Sequence, residues 1–253
     1  MTRSELVFVP APGMGHLLST VELSKHIVDR SDGMSVVVLI FYLPADSSTI
    51  NSYVESQSSD SDPSRVTFLS LPPLSDPLGS LSFSSLLTLI DLHRPVVKQA
   101  LEERAQRGSL KPVGFILDMF CASLIDVANE LNIPSYVYSA YGACALNVFL
   151  HFQSLADDSG VDAIEFNNPD LEFDISGFQN QVPSKVIPDG FLDEVGFKVV
   201  VNIANGIRKS NGILINTFME FESYAIKTLF ELHDDGKLPA VYPVGTHCEP
   251  QQQ

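Results

Sequence analysis

The sequence predicts a doubly wound α/β domain, with a mostly parallel, Rossmann-like sheet and helices on both faces. Three observations carry this. Short β-branched runs alternate with longer amphipathic stretches from the start of the chain, the order that strand–helix–strand units impose. The strand-sized runs are apolar almost throughout, as when helices cover both faces of a parallel sheet. Hydrophobic residues make up 45% of the 253 and charged ones 18%, which allows a sizeable core and excludes a disordered chain.

Residues 5–9 read as the first strand, and Pro10-Ala11-Pro12-Gly13-Met14-Gly15 breaks it. Residues 16–30 read as a helix, with Leu17, Leu18, Val21, Leu23, Ile27 and Val28 on one broad face and His26 opposite. A second strand is expected at 35–42 and a third at 66–69, with the Ser- and Asp-rich stretch 56–64 as a solvated loop. Residues 83–107 predict a helix bent at Pro95. A fourth strand (113–117), a helix (122–131), a fifth strand (135–139) and a helix (143–157) follow. Residues 157–188 read as irregular and acidic. A helix at 191–210, a strand at 212–216, a helix at 221–232 and a short strand at 241–244 complete the pattern. No internal repeat is present, and one domain is the better count.

Asp and Glu number 31 against 15 Lys and Arg, a formal net charge of −16. Such a surface repels phosphate backbones and anionic lipid, so no nucleic-acid or membrane-surface partner is expected. The longest apolar run, 36–43, is strand-sized and cannot span a bilayer. The N-terminus shows no basic region followed by a long apolar one. Cys121, Cys144 and Cys248 are odd in number and widely spaced, with neither a disulfide framework nor zinc-ligand spacing. A soluble, reducing, cytoplasmic location and no metal are the expectation.

Ligands of open α/β sheets sit beyond the carboxyl ends of the strands. His16, after the first strand, and Asp118, after the fourth, both fall there. If those strands are neighbours, Asp118 can orient the imidazole and stabilise its charged form, leaving the other nitrogen free to take a proton. A helix N-terminus favours the neutral ring while Asp118 pulls the other way, and the sequence does not say which is larger. A lone His is more often a capping or core residue. A carboxylate in the same mouth turns the odds toward a pair.

Gly13-Met14-Gly15 does not make a dinucleotide loop. The third glycine would fall at Leu18, and the second strand ends in Tyr42-Leu43 with no acidic residue for a ribose, so NAD is not expected. The glycines serve a tight turn or close backbone approach to a ligand. No nucleophile elbow, H-E-x-x-H pair or G-K-[ST] loop is present. Cys121 reads as a buried structural thiol rather than a nucleophile. His93, His151 and His233 are assigned no role. Phe120, Tyr141, Phe191 and Phe197 cluster around the mouth; ordinary core accounts for several, and the rest suit a flat, hydroxylated, poorly charged ligand.

The stretch Val9-Pro10-Ala11-Pro12-Gly13-Met14-Gly15-His16-Leu17 resembles the first loop of plant UDP-glycosyltransferases of secondary metabolism. Asp118-Met119-Phe120-Cys121, then Ile213-Leu214-Ile215-Asn216-Thr217-Phe218 with Glu220 and Glu222, then Tyr242-Pro243-Val244-Gly245 agree in order and spacing. The resemblance covers residues 6–245 and is nearest the subgroup acting on phenolic and terpenoid acceptors. It implies the N-terminal, acceptor-binding half of a GT-B fold, in which a second Rossmann-like domain holds the UDP-sugar. On this resemblance His16 is the general base, Asp118 its orienting partner, and the acceptor oxygen displaces UDP from UDP-glucose or a similar donor with inversion. Met14, Gly15, Phe120, Tyr141 and Phe191 would contact the acceptor, and Ser139 the sugar.

Residues 1–245 would then be the acceptor-binding domain and 246–253 a tail unlike the family, with the C-terminal donor-binding domain absent. The family's donor signature is rich in Trp, whereas this sequence has none, and His247-Cys248 is followed by Glu249. The expected ligands are a small hydrophobic hydroxylated acceptor and a UDP-sugar co-substrate, with no tightly bound cofactor. A C-terminal donor domain or a full-length homologue is the expected protein partner. The chain alone is expected to be inactive; the alternative is a non-catalytic module that binds small molecules or a partner.

Overall fold

Apolar runs of four to seven residues form most of the strands: β1 (Ser4–Val9), β2 (Met34–Ile40), β3 (Val66–Ser70), β4 (Pro112–Asp118), β5 (Ser135–Ser139) and, later, β8 (Gly212–Ile215). A two-residue pair, β6 (Glu172–Phe173) and β7 (Val182–Pro183), and β9 (Val241–Pro243) complete the set among the described residues. Between them lie α1 (Met14–Arg30), α2 (Ser47–Asp60), α3 (Phe83–Leu92), α4 (Arg94–Gln106) and α5 (Ile125–Glu130). Then come α6 (Ala143–Ser159), α7 (Asp189–Leu192), α8 (Glu194–Arg208) and α9 (Met219–Asp234). The computed structural model describes residues 4–42, 47–60, 62, 65–72, 83–106, 112–159, 168 and 170–245.

Seven strands form one parallel sheet in the order β3-β2-β1-β4-β5-β8-β9, with β6 and β7 paired antiparallel beside it. Alternate residues of each strand face opposite sides. Val7, Val9, Val37, Leu39, Phe115, Leu117 and Val137 join one core, with side chains of α4 (Val97, Leu101), α5, α6, α8 and α9. Phe8, Val36, Val38, Ile116 and Tyr138 join the other, under Leu17, Val21 and Val28 of α1 and Ile50 of α2. Each fully buried Val, Leu or Ile contributes about 1.5–3 kcal/mol. The doubly wound, Rossmann-like fold is as expected.

Four local expectations need correction. The stretch 56–64 is not all loop, because α2 runs into it. Its Ser-rich sequence is a poor helix former, but Ile50 is buried and Tyr53 and Val54 pack on the same core. The helix expected at 83–107 is two, α3 and α4, separated at His93. Pro95 lacks an N–H, and its ring would meet the Asp91 carbonyl one turn back. The helix expected from 122 begins instead as a 3-10 segment, Met119–Leu124, which becomes α-helical only at Ile125. The one expected at 191–210 breaks at Asp193, whose carboxylate accepts the Gly196 N–H at 2.8 Å and starts α8 afresh.

Candidate functional site

The site follows from one pairing. β1 lies beside β4 with Val9 opposite Leu117, so the two strands end together. Gly13, at φ 119°, takes a conformation that side-chain-bearing residues rarely adopt and turns the chain from β1 into α1. His16 therefore sits in the first turn of α1, directly above Asp118 at the end of β4. The His16 Nδ1 and the Asp118 Oδ2 are 2.7 Å apart. The Asp118 Oδ1 accepts the Phe120 N–H at 2.9 Å, which fixes the carboxylate and caps the 3-10 segment. With Nδ1 donating to a carboxylate, Nε2 carries the lone pair of the neutral ring.

The Asp118 side chain is fully buried and that of His16 is 15% exposed. Burial disfavours the charged imidazole, yet the hydrogen bond to Asp118 and its negative charge outweigh burial and raise the His16 pKa above its ordinary value. Phe120 and Tyr141 stand around the imidazole with ring centroids 5.3 and 5.6 Å away, the Tyr141 ring edge-on. Burial and the charge of Asp118 push the Tyr141 phenol up, so it remains a neutral hydroxyl at physiological pH.

A cavity of about 600 Å³ opens beside this group. His16, Phe120, Tyr141 and Phe191 line it, as the sequence led one to expect. Phe149 of α6 and Ile187, just before α7, line it too and escaped the sequence reading. Phe149 belongs to the apolar face of an amphipathic helix and was discoverable there. Ile187 lies in an aperiodic stretch that carries no signal. Among the described residues the lining is apolar apart from His16 and Tyr141, and it holds no Lys or Arg.

Other expected residues lie elsewhere. Met14 does not face the cavity; it packs on the opposite core with Leu17 and Val21, because the first turn of α1 points it to the other face of the sheet. Gly15 is exposed and has no place in the cavity lining. Ser139, expected at the sugar, is fully buried and donates to the Tyr141 carbonyl at 2.9 Å, so its hydroxyl is spent on the turn. Phe197 is core. Cys121 is buried and burial pushes its thiol well up, while Cys144 is pushed up to about 11 by burial and the neighbouring Glu222. His93 is buried with both ring nitrogens against backbone carbonyls, of Leu89 at 2.8 Å and Pro72 at 3.3 Å. Residues 246–253, expected to be an unrelated tail, lie outside the described residues. Among the described residues no group of three or more His, Cys, Asp or Glu could hold a metal ion, and no helix is long and apolar enough to cross a membrane.

No family profile matches the sequence. Over 236 residues the chain is 39% identical to an anthocyanidin 3-O-glucosyltransferase of Manihot esculenta, covering 92% of this chain and 50% of the relative. Medicago truncatula UGT71G1 complexed with UDP-glucose superposes with a TM-score of 0.83 at 31% identity, over 99% of this chain and 53% of that one. Phytolacca americana UGT2 complexed with UDP-2fluoro-glucose and pterostilbene superposes with a TM-score of 0.79 at 27% identity, over 98% and 55%. The chain spans about half the length of the curated relatives it matches. Sequence and fold thus make this chain a relative of the plant UDP-glycosyltransferases, matching about half their length in a way consistent with the N-terminal half.

Proposed function

We propose that the chain is the acceptor-binding, base-carrying half of a UDP-sugar-dependent O-glycosyltransferase acting on small phenolic or terpenoid hydroxyls. One observation carries the reading: His16, its Nδ1 held by Asp118 at 2.7 Å, borders an apolar cavity of about 600 Å³. In that cavity an acceptor hydroxyl hydrogen-bonds to Nε2. The proton passes to Nε2, Asp118 stabilises the imidazolium, and the acceptor oxygen attacks the anomeric carbon of the sugar with inversion as UDP leaves. Both the anthocyanidin in the name of the Manihot relative and the pterostilbene in the Phytolacca complex are flat hydroxylated phenolics, which supports this acceptor class.

Among the described residues the lining offers no cation for a diphosphate, so the donor site is placed outside this cavity, and residues 1–245 are proposed as the acceptor domain. A surface for a donor domain is at hand. Phe218 and Phe221 stack with centroids 5.6 Å apart, and Phe221 is 71% exposed. The Gly245 N–H donates to the Thr217 carbonyl next to them at 2.9 Å. The free thiols at Cys121 and Cys144 support a reducing, cytoplasmic setting.

The test is a transfer assay with UDP-glucose and a panel of flavonoid, simple phenol and terpenoid acceptors. The chain is assayed alone, with a separately produced donor domain of a relative, and as His16→Ala with that domain. Product only on supplementation, lost in His16→Ala, is the expected result. Transfer by the chain alone at the rate of a full-length relative would overturn the half-enzyme reading.

A further inference from the structure

Tyr141 forms the wall of the cavity beside His16, yet residues 140–142 belong to neither β5 nor α6. Three side chains hold this turn. The Ser139 hydroxyl donates to the Tyr141 carbonyl at 2.9 Å, and the Asn216 amide nitrogen donates to the Ala140 carbonyl at 3.1 Å. The third is Glu222. Its carboxylate accepts the Ala143 N–H at 2.8 Å and the Cys144 N–H at 3.0 Å, the first amides of α6.

Those amides have no partner within their own helix, and a carboxylate there also meets the positive end of the helix dipole. The cap is not local: it comes from α9, 79 residues further along the chain than Ala143. Glu222 leaves helical geometry inside α9, at φ −128° and ψ 42°, where its side chain reaches α6. Gly142 completes the fit, because a Cβ at this position would overlap the Glu222 carboxylate. Burial opposes the charge on Glu222. The neighbouring Thr217 hydroxyl, the Cys144 and Ala143 amides and the Cys144 thiol outweigh it and hold the carboxyl below its usual range.

We propose that Glu222 is a positioning residue for the cavity: clamped to the N-terminus of α6 and fitted against Gly142, it fixes the 140–142 turn and holds the Tyr141 ring against His16. Without it the turn loses its cap, the aromatic wall beside His16 loosens, and a flat ligand loses the ring it packs against. The effect on ligand binding rests on the acceptor reading above; the effect on the His16 ring does not.

The experiment uses the full chain and three readouts: NMR resonances of the His16 ring protons, which lie in the ring current of Tyr141, quercetin affinity, and thermal unfolding. Glu222→Ala and Gly142→Ala attack the contact from its two sides, and Glu220→Ala, at an exposed neighbour, is the control. In the folded Glu222→Ala and Gly142→Ala variants the His16 signals move and quercetin binding weakens by about tenfold. Glu222→Gln keeps an acceptor oxygen and recovers part of both, while Glu220→Ala changes neither. A lowered melting temperature with wild-type His16 signals and affinity would overturn the proposal. Should Glu222→Ala not fold, Glu222→Gln and Gly142→Ala decide it by the same readouts. If the wild-type chain does not bind quercetin, quercetin is not one of its acceptors and the His16 signals alone decide the role of Glu222.

Discussion

The wall of the cavity that carries His16 and the wall that faces it are held by different forces. Asp118 ends β4, a strand paired on one side with β1 and on the other with β5. Phe115, Leu117 and Met119 around it are wholly buried. The opposite wall, from Val182 to Phe191, is built from the two-residue strand β7, a 3-10 turn at Ser184–Val186 and the four-residue helix α7. Among the described residues its backbone bonds include those from the Ser184 N–H to the Leu171 carbonyl and from the Ile187 N–H to the Ser184 carbonyl. Val186, in that wall, is 63% exposed. The reaction proposed for the His16–Asp118 pair needs fixed geometry, which a ladder on both sides supplies. A surface that fits a ligand can be held by side-chain packing alone and reshaped without disturbing the sheet.

The contrast can be broken or sharpened by experiment. Hydrogen exchange should show the largest difference: amides of 115–117 exchange slower than those of 184–187 by about a thousandfold or more. Equal protection would mean that both walls are one cooperative unit. Next comes chemistry at the rigid wall. With a donor domain supplied, Asp118→Asn should lower transfer by about 10²–10⁴-fold, by removing the charge that stabilises the imidazolium. The His16 pKa should fall in the same variant, since the negative charge that opposes burial is gone. In the wild type the His16 pKa is raised on folding, so the pair's contribution to stability is complete below the ordinary histidine pKa. It is lost as pH rises through the raised value, while the neutral, proton-accepting ring becomes populated over that same interval.

The opposite wall should give smaller effects of a different kind. Phe191→Ala removes a ring that packs edge-on to Phe149 at 5.1 Å, and acceptor affinity should fall by about tenfold with no change in the His16 pKa. At exposed Val186, truncation to Ala should shift relative acceptor affinities by about threefold at most and stability by less than about 0.5 kcal/mol, read by thermal unfolding. A shifted His16 pKa in either variant would show the two walls coupled through the ring contacts of Phe149 and Phe120.

The same contrast explains what was legible in the sequence. His16 and Asp118 could be found because strand ends are marked by where apolar runs stop, and the strand order brings those two ends together. Strand-sized runs also gave the sheet. Met14 and Gly15 were misplaced because adjacency to His16 in the chain says nothing about direction: on α1 the Met14 side chain turns to the opposite core. Ser139 ends β5 with its hydroxyl bonded within its own turn, a choice made by the Tyr141 carbonyl and invisible to strand alternation. Val182 and Ile187 lie in a stretch with neither the period of a helix nor that of a strand, so nothing local marks them as lining. Helix α2 was missed because its stability comes from Ile50 on the core rather than from its Ser-rich sequence.

The central claim, a base held at one nitrogen and open to an acceptor at the other, is tested most directly by nitrogen-detected NMR of the His16 ring with and without quercetin. The account predicts that Nδ1 carries the proton of the neutral ring, and that the Nε2 resonance moves when quercetin binds while Nδ1 stays put. A proton on Nε2, or an Nε2 signal indifferent to a bound phenol, would contradict it.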